Sequence, residues 1–586
     1  MSRFVAFASL GRRALPNQWD LVSLALVIAV FVAVAKGSLG MTAPLTAPVT
    51  ADLSLDYSNL PYYALRTTLR MSAAMAASLL FTFVYATIAA KSRRAEMVLI
   101  PLLDVLQSVP ILGFLSFTVT FFLGLFPGST LGAELAAIFA IFTSQAWNMA
   151  FSFYQSLRTV PRDLEEVAVG YHFSPWQKFW QLEAPFAMPA LIWNMMMSMS
   201  GGWFFVVASE AISVGDTTIK LPGIGSYLAL AIDAKRIDAV FAAVVAVIVV
   251  ILAYDQLLFR PIVAFAAKFR VELSAGQVQE ESWVRQIFLR TRFLRGLIAI
   301  PARILSSIAL LRLDFAFPGF GGEPHRVTKR VLRSRLALSR AFDLVWFVLI
   351  GAMVAYCLDQ VYAFVSQKLT AADLRETVVF TTYTMIRVFL LIVLASLFWV
   401  PVAIYIGLRP RLAEKIQPLA QFLAAFPANV VFPIAVVLVV QFSLNPDIWL
   451  SGLIIFGTQW YIVFNVIGGA MAFPNDLREA VVNYGIKGRI WWKDVILPGV
   501  FPYYVTGALT ASGGSWNAAI VAEYVKWGDD KVAAHGIGAY IAQATEAGDY
   551  PKIVLGVAVM SIFVILFNRL LWRPLFAWGE RRLRLN

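Results

Sequence analysis

Four charged residues fall inside strongly apolar stretches, and they fall at matched places: Arg70 and Glu210, then Arg387 and Glu523. A central Arg or Asp costs about 2.5–3.5 kcal/mol to insert into a bilayer, whereas each Leu returns only about 0.3–0.6. Such residues therefore persist where they have a partner or a task. Glu210 and Glu523 would line or gate a polar route across the membrane, or else pair with a base or face the outer water. Arg70 and Arg387 would attract an anion, or anchor the interface. Gln145 and Gln459 suit hydrogen bonds between helices, or contact with a solute. Trp203 and Trp516 stand seven residues before the two glutamates and join the same set of path candidates. The run Met195, Met196, Met197 and Met199 suits packing filler or a pliable wall.

Other chemistries have little to work with. His172, His325 and His535 lack metal-ligand spacing, and no His-Glu-x-x-His motif occurs. No Ser/His pair, paired carboxylates or metal cluster presents itself, so neither a catalytic nor a metal residue is expected. The single cysteine, Cys357, lies in an apolar stretch and excludes a disulfide framework. No Gly-x-x-x-x-Gly-Lys-Ser/Thr loop is present, which leaves no P-loop for ATP. Ser512-Gly-Gly514 lies inside an apolar stretch and reads as small-residue packing.

These residues need a membrane scaffold, and the composition supplies one. The chain is 60% hydrophobic and 14% charged, with a mean hydropathy of +0.73, against about 45–50% apolar for soluble domains. A span needs about 20 apolar residues. The expected spans are 20–36, 66–90, 98–125, 131–157, 185–209 and 238–259, then 343–364, 380–407, 416–440, 447–470, 499–521 and 553–574. Strands are not expected, because the apolar runs are long and do not alternate. Lys91, Arg93 and Arg94 follow the second span, and Arg409, Arg411 and Lys415 follow the eighth. Both clusters belong in the cytoplasm, which puts both termini there too. No cleavable leader is read at the N-terminus.

The halves repeat. Pro101-Leu102 and Pro110 correspond to Pro418-Leu419 and Pro427; Gly223-Ile-Gly225 with Tyr227 corresponds to Gly536-Ile-Gly538 with Tyr540. Six spans per half leave both in one orientation, a parallel rather than an inverted repeat. The expected units are 1–261, a linker 262–342, and 343–586. The linker is rich in Lys and Arg and carries most of the net charge of +13. Its segment 293–313 reads as an amphipathic helix on the inner leaflet, and 326–342 as a second in-plane helix.

Two polar elbows occupy matched cytoplasmic positions, at 161–185 and 474–498. The first carries Glu166, Ala168, Gly170 and Tyr171; the second carries Glu479, Ala480, Tyr484 and Gly485. Pro161 and Pro474 end the preceding spans, and carboxylates follow in the first helical turns. Ala168 and Ala480 would let a partner approach, and Gly170 and Gly485 would permit a sharp turn. Pro185 and Pro498 would open the next span.

The elbows resemble the EAA loop of ATP-binding-cassette (ABC) importer permeases: Glu166, Ala168, Gly170, Leu182 and Pro185, then Glu479, Ala480, Leu497 and Pro498. The first departs from that pattern at Val167 and Ala184, and the second has Asn483 where Gly is usual. Arg70, the basic turn Lys91–Arg94, Pro101-Leu-Leu103 and Pro110 resemble the nitrate/sulfonate/taurine/bicarbonate-type permeases, as does Trp516 with Val521-Ala-Glu523. The resemblance implies an all-α polytopic membrane protein of two tandem, parallel six-helix type I permease domains, a dimer fused into one chain. It further implies a bacterial inner membrane, two cytoplasmic ATPase subunits that bind ATP and Mg, and an external solute-binding protein. The cargo it implies is a small anion such as nitrate, a sulfonate or bicarbonate. The chain itself would hold no cofactor and would not be an enzyme. The alternative is an ion-coupled secondary transporter built from parallel repeats.

Overall fold

A computed structural model describes residues 32, 53–214, 217–266, 303–304, 306–312, 329–471, 473 and 475–583. The span expected at 20–36, His325 and most of the linker lie outside the described residues, Val32 apart. Among the described residues, nine helices are long and apolar enough to cross a membrane.

The first half runs α1 (Leu60–Lys91), α2 (Arg93–Ser108), α3 (Ile111–Leu125), α4 (Leu131–Arg158), α5 (Arg162–Gly170) and α6 (Ala184–Glu210). A hairpin of β1 (Ala211–Val214) and β2 (Thr217–Lys220) follows, then α7 (Ile224–Asp233) and α8 (Ile237–Tyr254). The second half begins with α9 (Lys329–Ser366) and repeats the order with α10 (Ala371–Gly407), α11 (Pro410–Ala425), α12 (Phe432–Gln441), α13 (Ser451–Met471), α14 (Asn475–Asn483) and α15 (Leu497–Ala522). It closes with β3 (Tyr524–Trp527), β4 (Asp530–Ala533), α16 (Ile537–Glu546) and α17 (Tyr550–Phe567).

In each half the core is a helix triplet: α1, α4 and α6, then α10, α13 and α15. Lipid offers no hydrophobic drive for this packing, so close approach does the work. Ala74, Ala86, Ala136, Ala146 and Ala150 are accordingly buried in the first triplet, and Ala508, Ala511 and Ala519 in the second.

The structure corrects several expectations. The spans expected at 98–125 and 416–440 are each broken. Val109 and Phe426, which precede Pro110 and Pro427, are extended, as a residue before proline prefers. Two short antiparallel hairpins occur beyond the fifth spans, where strands were not expected; they lie outside the long apolar runs. From Lys329 on, the in-plane helix expected at 326–342 and the span expected at 343–364 are one helix, α9, of 38 residues. Pro185 and Pro498 stand in the first turn of α6 and α15, as expected, but the helix does not begin there. Each follows a π-helical stretch, Phe179–Glu183 or Trp491–Ile496, inside a continuous helix; the wider turn accommodates the missing N–H and the ring.

One buried cluster ties the end of the first half that lies opposite its basic turn. The Glu210 carboxylate accepts from Thr67 Oγ1 at 2.6 Å, Arg70 Nη1 at 2.7 Å and the Gly225 N–H at 2.7 Å. Arg70 also forks onto Glu134, which Arg66 pairs as well. Thr67 Oγ1 accepts in turn from the Ile224 N–H, so α1, α4, α6 and α7 meet at one point. The glycines are obligatory there. A Cβ on Gly223 would stand 2.3 Å from the Glu210 carboxyl carbon, and one on Gly225 would stand 2.2 Å from the Val207 carbonyl oxygen.

The second half rebuilds the cluster. Glu523 accepts from Thr384 Oγ1, Arg387 and the Gly538 N–H, and a Cβ on Gly536 would meet its carboxylate. Asp447 takes the place of Glu134. It lies 3.4 Å from Arg387 and also accepts from the His535 backbone N–H. This cluster is partly reached by water, whereas the first is fully buried.

Removing one member of a buried charge cluster costs about 3–5 kcal/mol, because the others keep their charge without a partner. Arg70→Met is expected to lower thermal stability in detergent sharply, and Arg387→Met by less; size-exclusion after heating would read both. Equal losses would contradict the difference in burial. At the hairpin end of the second half, burial pushes Glu546 up, but hydrogen bonds from Lys526, Lys531 and Tyr524 outweigh it and bring its pKa down to about 2. A depressed carboxylate stabilises above its unfolded pKa and loses that contribution as pH falls through the folded one. Hydrogen-exchange protection of β3 and β4 should thus hold at pH 7 and decline between about pH 4.5 and 2.

Candidate functional site

The two elbows are built alike. In the first, Asp163 and Glu165 occupy the opening turn of α5, where carboxylates meet the positive end of the helix dipole. The helix closes with His172 N–H donating to the Val169 carbonyl and Phe173 N–H to that of Ala168. In α14 the same pair of bonds runs from Gly485 to Val482 and from Ile486 to Val481. This pattern needs a left-handed residue just past the helix. It is His172 (φ 51°) in the first elbow and Gly485 (φ 63°) in the second. Gly170, expected to make the turn, instead ends the helix with no left-handed backbone.

Ser174 and Gln177 form a reciprocal cap that starts the next helix. Lys178 ties back to Glu165 at 2.8 Å, and Lys91 pairs with Glu183. In the second half Arg478 donates to the Leu408 carbonyl. Both elbows therefore sit at the end of the bundle that carries the two basic turns.

What the elbows display differs from the expectation in one respect. Ala168 is buried against its own half, so it offers no approach to a partner; Ala480 is half-buried. The exposed surface consists of Glu166, Val167, Val169 and Tyr171, and of Glu479, Val482 and Tyr484. Tyr171 is 72% exposed and Tyr484 83%. Valines and a tyrosine projecting together into water form an apolar knob, and tyrosine is a common anchor in protein interfaces. At the first elbow the linker also arrives: Trp176 Nε1 donates to the Ile308 carbonyl at 2.7 Å, and Gln177 Nε2 to that of Leu310 at 2.9 Å.

The intramembrane candidates divide. Arg70 with Glu210, and Arg387 with Glu523, are brought together as partners in the two outer clusters. Trp203 and Trp516 are buried, each against an aromatic of the sixth span, Tyr254 or Phe567. Gln145 is buried, with its amide nitrogen 3.6 Å from Met199 Sδ. Gln459 is not its counterpart: it lies one position further along its span, half-buried, and accepts from Trp399. The position matching Gln145 is Thr458, hydrogen-bonded to Ser515.

The halves meet along a seam that the sequence reading did not locate. The break in the first third span reaches the opposite fifth span, where Ile111 N–H donates to Asn517 Oδ1 at 2.8 Å. The break in the other third span does the same in reverse, Asn429 Nδ2 donating to the Phe204 carbonyl at 3.1 Å. Outside, Lys235 pairs with Asp530 at 3.0 Å. Glu134 and Asp447, also missed, could have been found, since they share the offset that relates Glu210 to Glu523.

A known family matches both halves. The family described as "Binding-protein-dependent transport system inner membrane component" matches residues 78–259 and again 399–573. The bicarbonate transport system permease protein CmpB of Synechococcus elongatus is 30% identical over 189 residues, 32% of this chain and 63% of that relative. The nitrate import permease protein NrtB of Leptolyngbya laminosa is 25% identical over 178 residues, 30% of this chain and 60% of the relative. The taurine transport system permease protein TauC of Escherichia coli is 27% identical over 201 residues, 33% of this chain and 68% of the relative. The aligned part thus spans about two thirds or less of each of these relatives. With two matched segments that each take in an elbow and the fifth span behind it, the chain belongs to the binding-protein-dependent transport system inner membrane components, an ABC permease whose domain is duplicated in one polypeptide.

Proposed function

We propose that this chain is the translocating subunit of an ATP-driven importer in a bacterial inner membrane, with both termini in the cytoplasm. The observation that carries the reading is the pair of exposed knobs at matched positions, Val167, Val169 and Tyr171 on one and Val482 and Tyr484 on the other, on the end that bears the basic turns. Each knob docks into one of two separate ATPase subunits, which bind the ATP and Mg. Their closure draws the elbows together and rocks the two bundles about the seam. A solute-binding protein delivers cargo at the opposite end, over the two hairpins. The relatives' names point to a small anion of the bicarbonate, nitrate or sulfonate kind.

An ion-coupled carrier would need a membrane-depth carboxylate free to take up and release its ion. The carboxylates buried among the core helices, Glu134, Glu210 and Glu523, are each held by arginine.

The solubilised chain is expected to co-purify with a P-loop ATPase and to support solute-dependent ATP hydrolysis. Truncating an interface anchor typically costs about 2 kcal/mol or more, roughly thirtyfold in affinity. Tyr484→Ala should accordingly weaken ATPase capture by at least that factor without altering the monodispersity of the chain. Reversing the charge at Glu166 and Glu479 together (to Arg) should abolish coupling; undiminished hydrolysis and uptake in that variant would refute docking at the elbows.

A further inference from the structure

The same face of both fifth spans points across the seam. In α6 it carries Trp193, Met197 and Phe204: Trp193 stacks on Phe464 of the second half with ring centroids 5.2 Å apart, and the Phe204 carbonyl accepts from Asn429. In α15 the matching positions are Thr506, Thr510 and Asn517, and Asn517 reaches Ile111 of the first half. The wall from the first half is thus apolar, and the wall from the second is hydroxyl and amide.

Tyr461 stands between them, at the middle of α13. A Cβ built on Gly201 of α6 would lie 3.8 Å from its hydroxyl oxygen, and one on Gly514 of α15 would lie 3.9 Å from its ring carbon Cε2. The ring therefore bridges from its own fifth span to that of the other half. Tyr461 is only 9% exposed, yet its hydroxyl has no hydrogen-bond partner among the described residues. That oxygen is not enclosed by protein, so the hydroxyl can donate to whatever occupies the seam beside it, water or solute. The corresponding residue of the first half, Asn148, is already engaged by Gln107 Nε2 at 2.8 Å.

We propose that Tyr461 is a solute-contacting residue of the translocation route, where its phenol donates to the oxygen of a small oxyanion passing the seam. The inference rests on the importer reading above and deepens it by placing solute recognition on the second half. The neighbouring wall can assist. Thr506 and Thr510 donate to the carbonyls four residues back, at 3.0 and 2.9 Å, and a hydroxyl can turn from such a bond to a passing acceptor. Among the described residues the site carries no fixed positive charge: Arg66, Arg70 and Arg387 are all paired with carboxylates at the end clusters. A neutral donor suits a place of passage, where binding must be weak enough to release the solute.

The test is Tyr461→Phe, which keeps the ring and removes only the hydroxyl. Wild-type and variant chains are reconstituted in liposomes with the ATPase and binding protein. Uptake of labelled bicarbonate, nitrate and taurine is followed beside ATP hydrolysis stimulated by the loaded binding protein. A hydrogen bond from the phenol to a charged acceptor predicts uptake lowered about tenfold, with stimulated hydrolysis and its dependence on binding-protein concentration unchanged. Unchanged uptake, or uptake and hydrolysis lost in parallel, would overturn the assignment. A wild-type complex that hydrolyses ATP without responding to binding protein and accumulates none of the three solutes would instead remove the importer reading itself.

Discussion

A carboxylate at the end of each fifth span, enclosed by a Gly-Ile-Gly turn and held by an arginine from the second span, organises each half. Glu210 and Glu523 sit where a helix must stop, a hairpin must begin and a short helix must return. Their oxygens take the N–H of Gly225 or Gly538 at the start of that return helix. Four segments become one corner because these hydrogen bonds and ion pairs converge on a single carboxylate. The cost of moving any one of them is the exposure of a charge, so the corner moves as a body.

Rigid corners at one end make sense of mobile contacts elsewhere. The elbows lie at the opposite end, joined to the fifth spans through the π-helical stretches at Phe179–Glu183 and Trp491–Ile496. After the turns at Tyr171–Ser174 and Tyr484–Lys487, each elbow leads into a helix that continues without a break into α6 or α15, and those two helices flank the seam. Polar bonds across the seam include those of Asn429 and Asn517, the Gly528 N–H to the Ile232 carbonyl at 3.0 Å and the exposed pair Lys235–Asp530, beside apolar contacts such as Trp193 on Phe464. An exposed ion pair of that kind contributes about 0–1 kcal/mol.

The duplication is closer in backbone than in side chains. Both halves keep the broken third span, the elbow, the π turn and the hairpin. They differ in the polarity of the seam walls, in the burial of the outer cluster and in the linker contact at Trp176. Two identical chains could not differ in this way; fusion lets each half take its own chemistry. Phe464 can stack on Trp193 in the first half's wall while the second half's wall carries threonines.

Composition, spacing and repetition lie in the sequence alone, and they determined the broad plan. Apolar runs and basic turns specified membrane spans, the recurring elbow specified two like domains, and paired charges marked the ends of the fifth spans. Local backbone rules also explain the breaks at Pro110 and Pro427, although long apolar runs concealed them, since hydropathy sums over a window and does not register one extended residue. Only the tertiary structure decided which partners the charges take. Arg70 meets Glu134 and Glu210 across gaps of 64 and 140 residues, and no local pattern encodes such a meeting. The outward turn of Val167 and Val169, the burial of Ala168 and the position of Tyr461 between two glycines were likewise set by packing. Which side of a helix faces a neighbour depends on the neighbour, and within a membrane hydrophobicity is the same on every side.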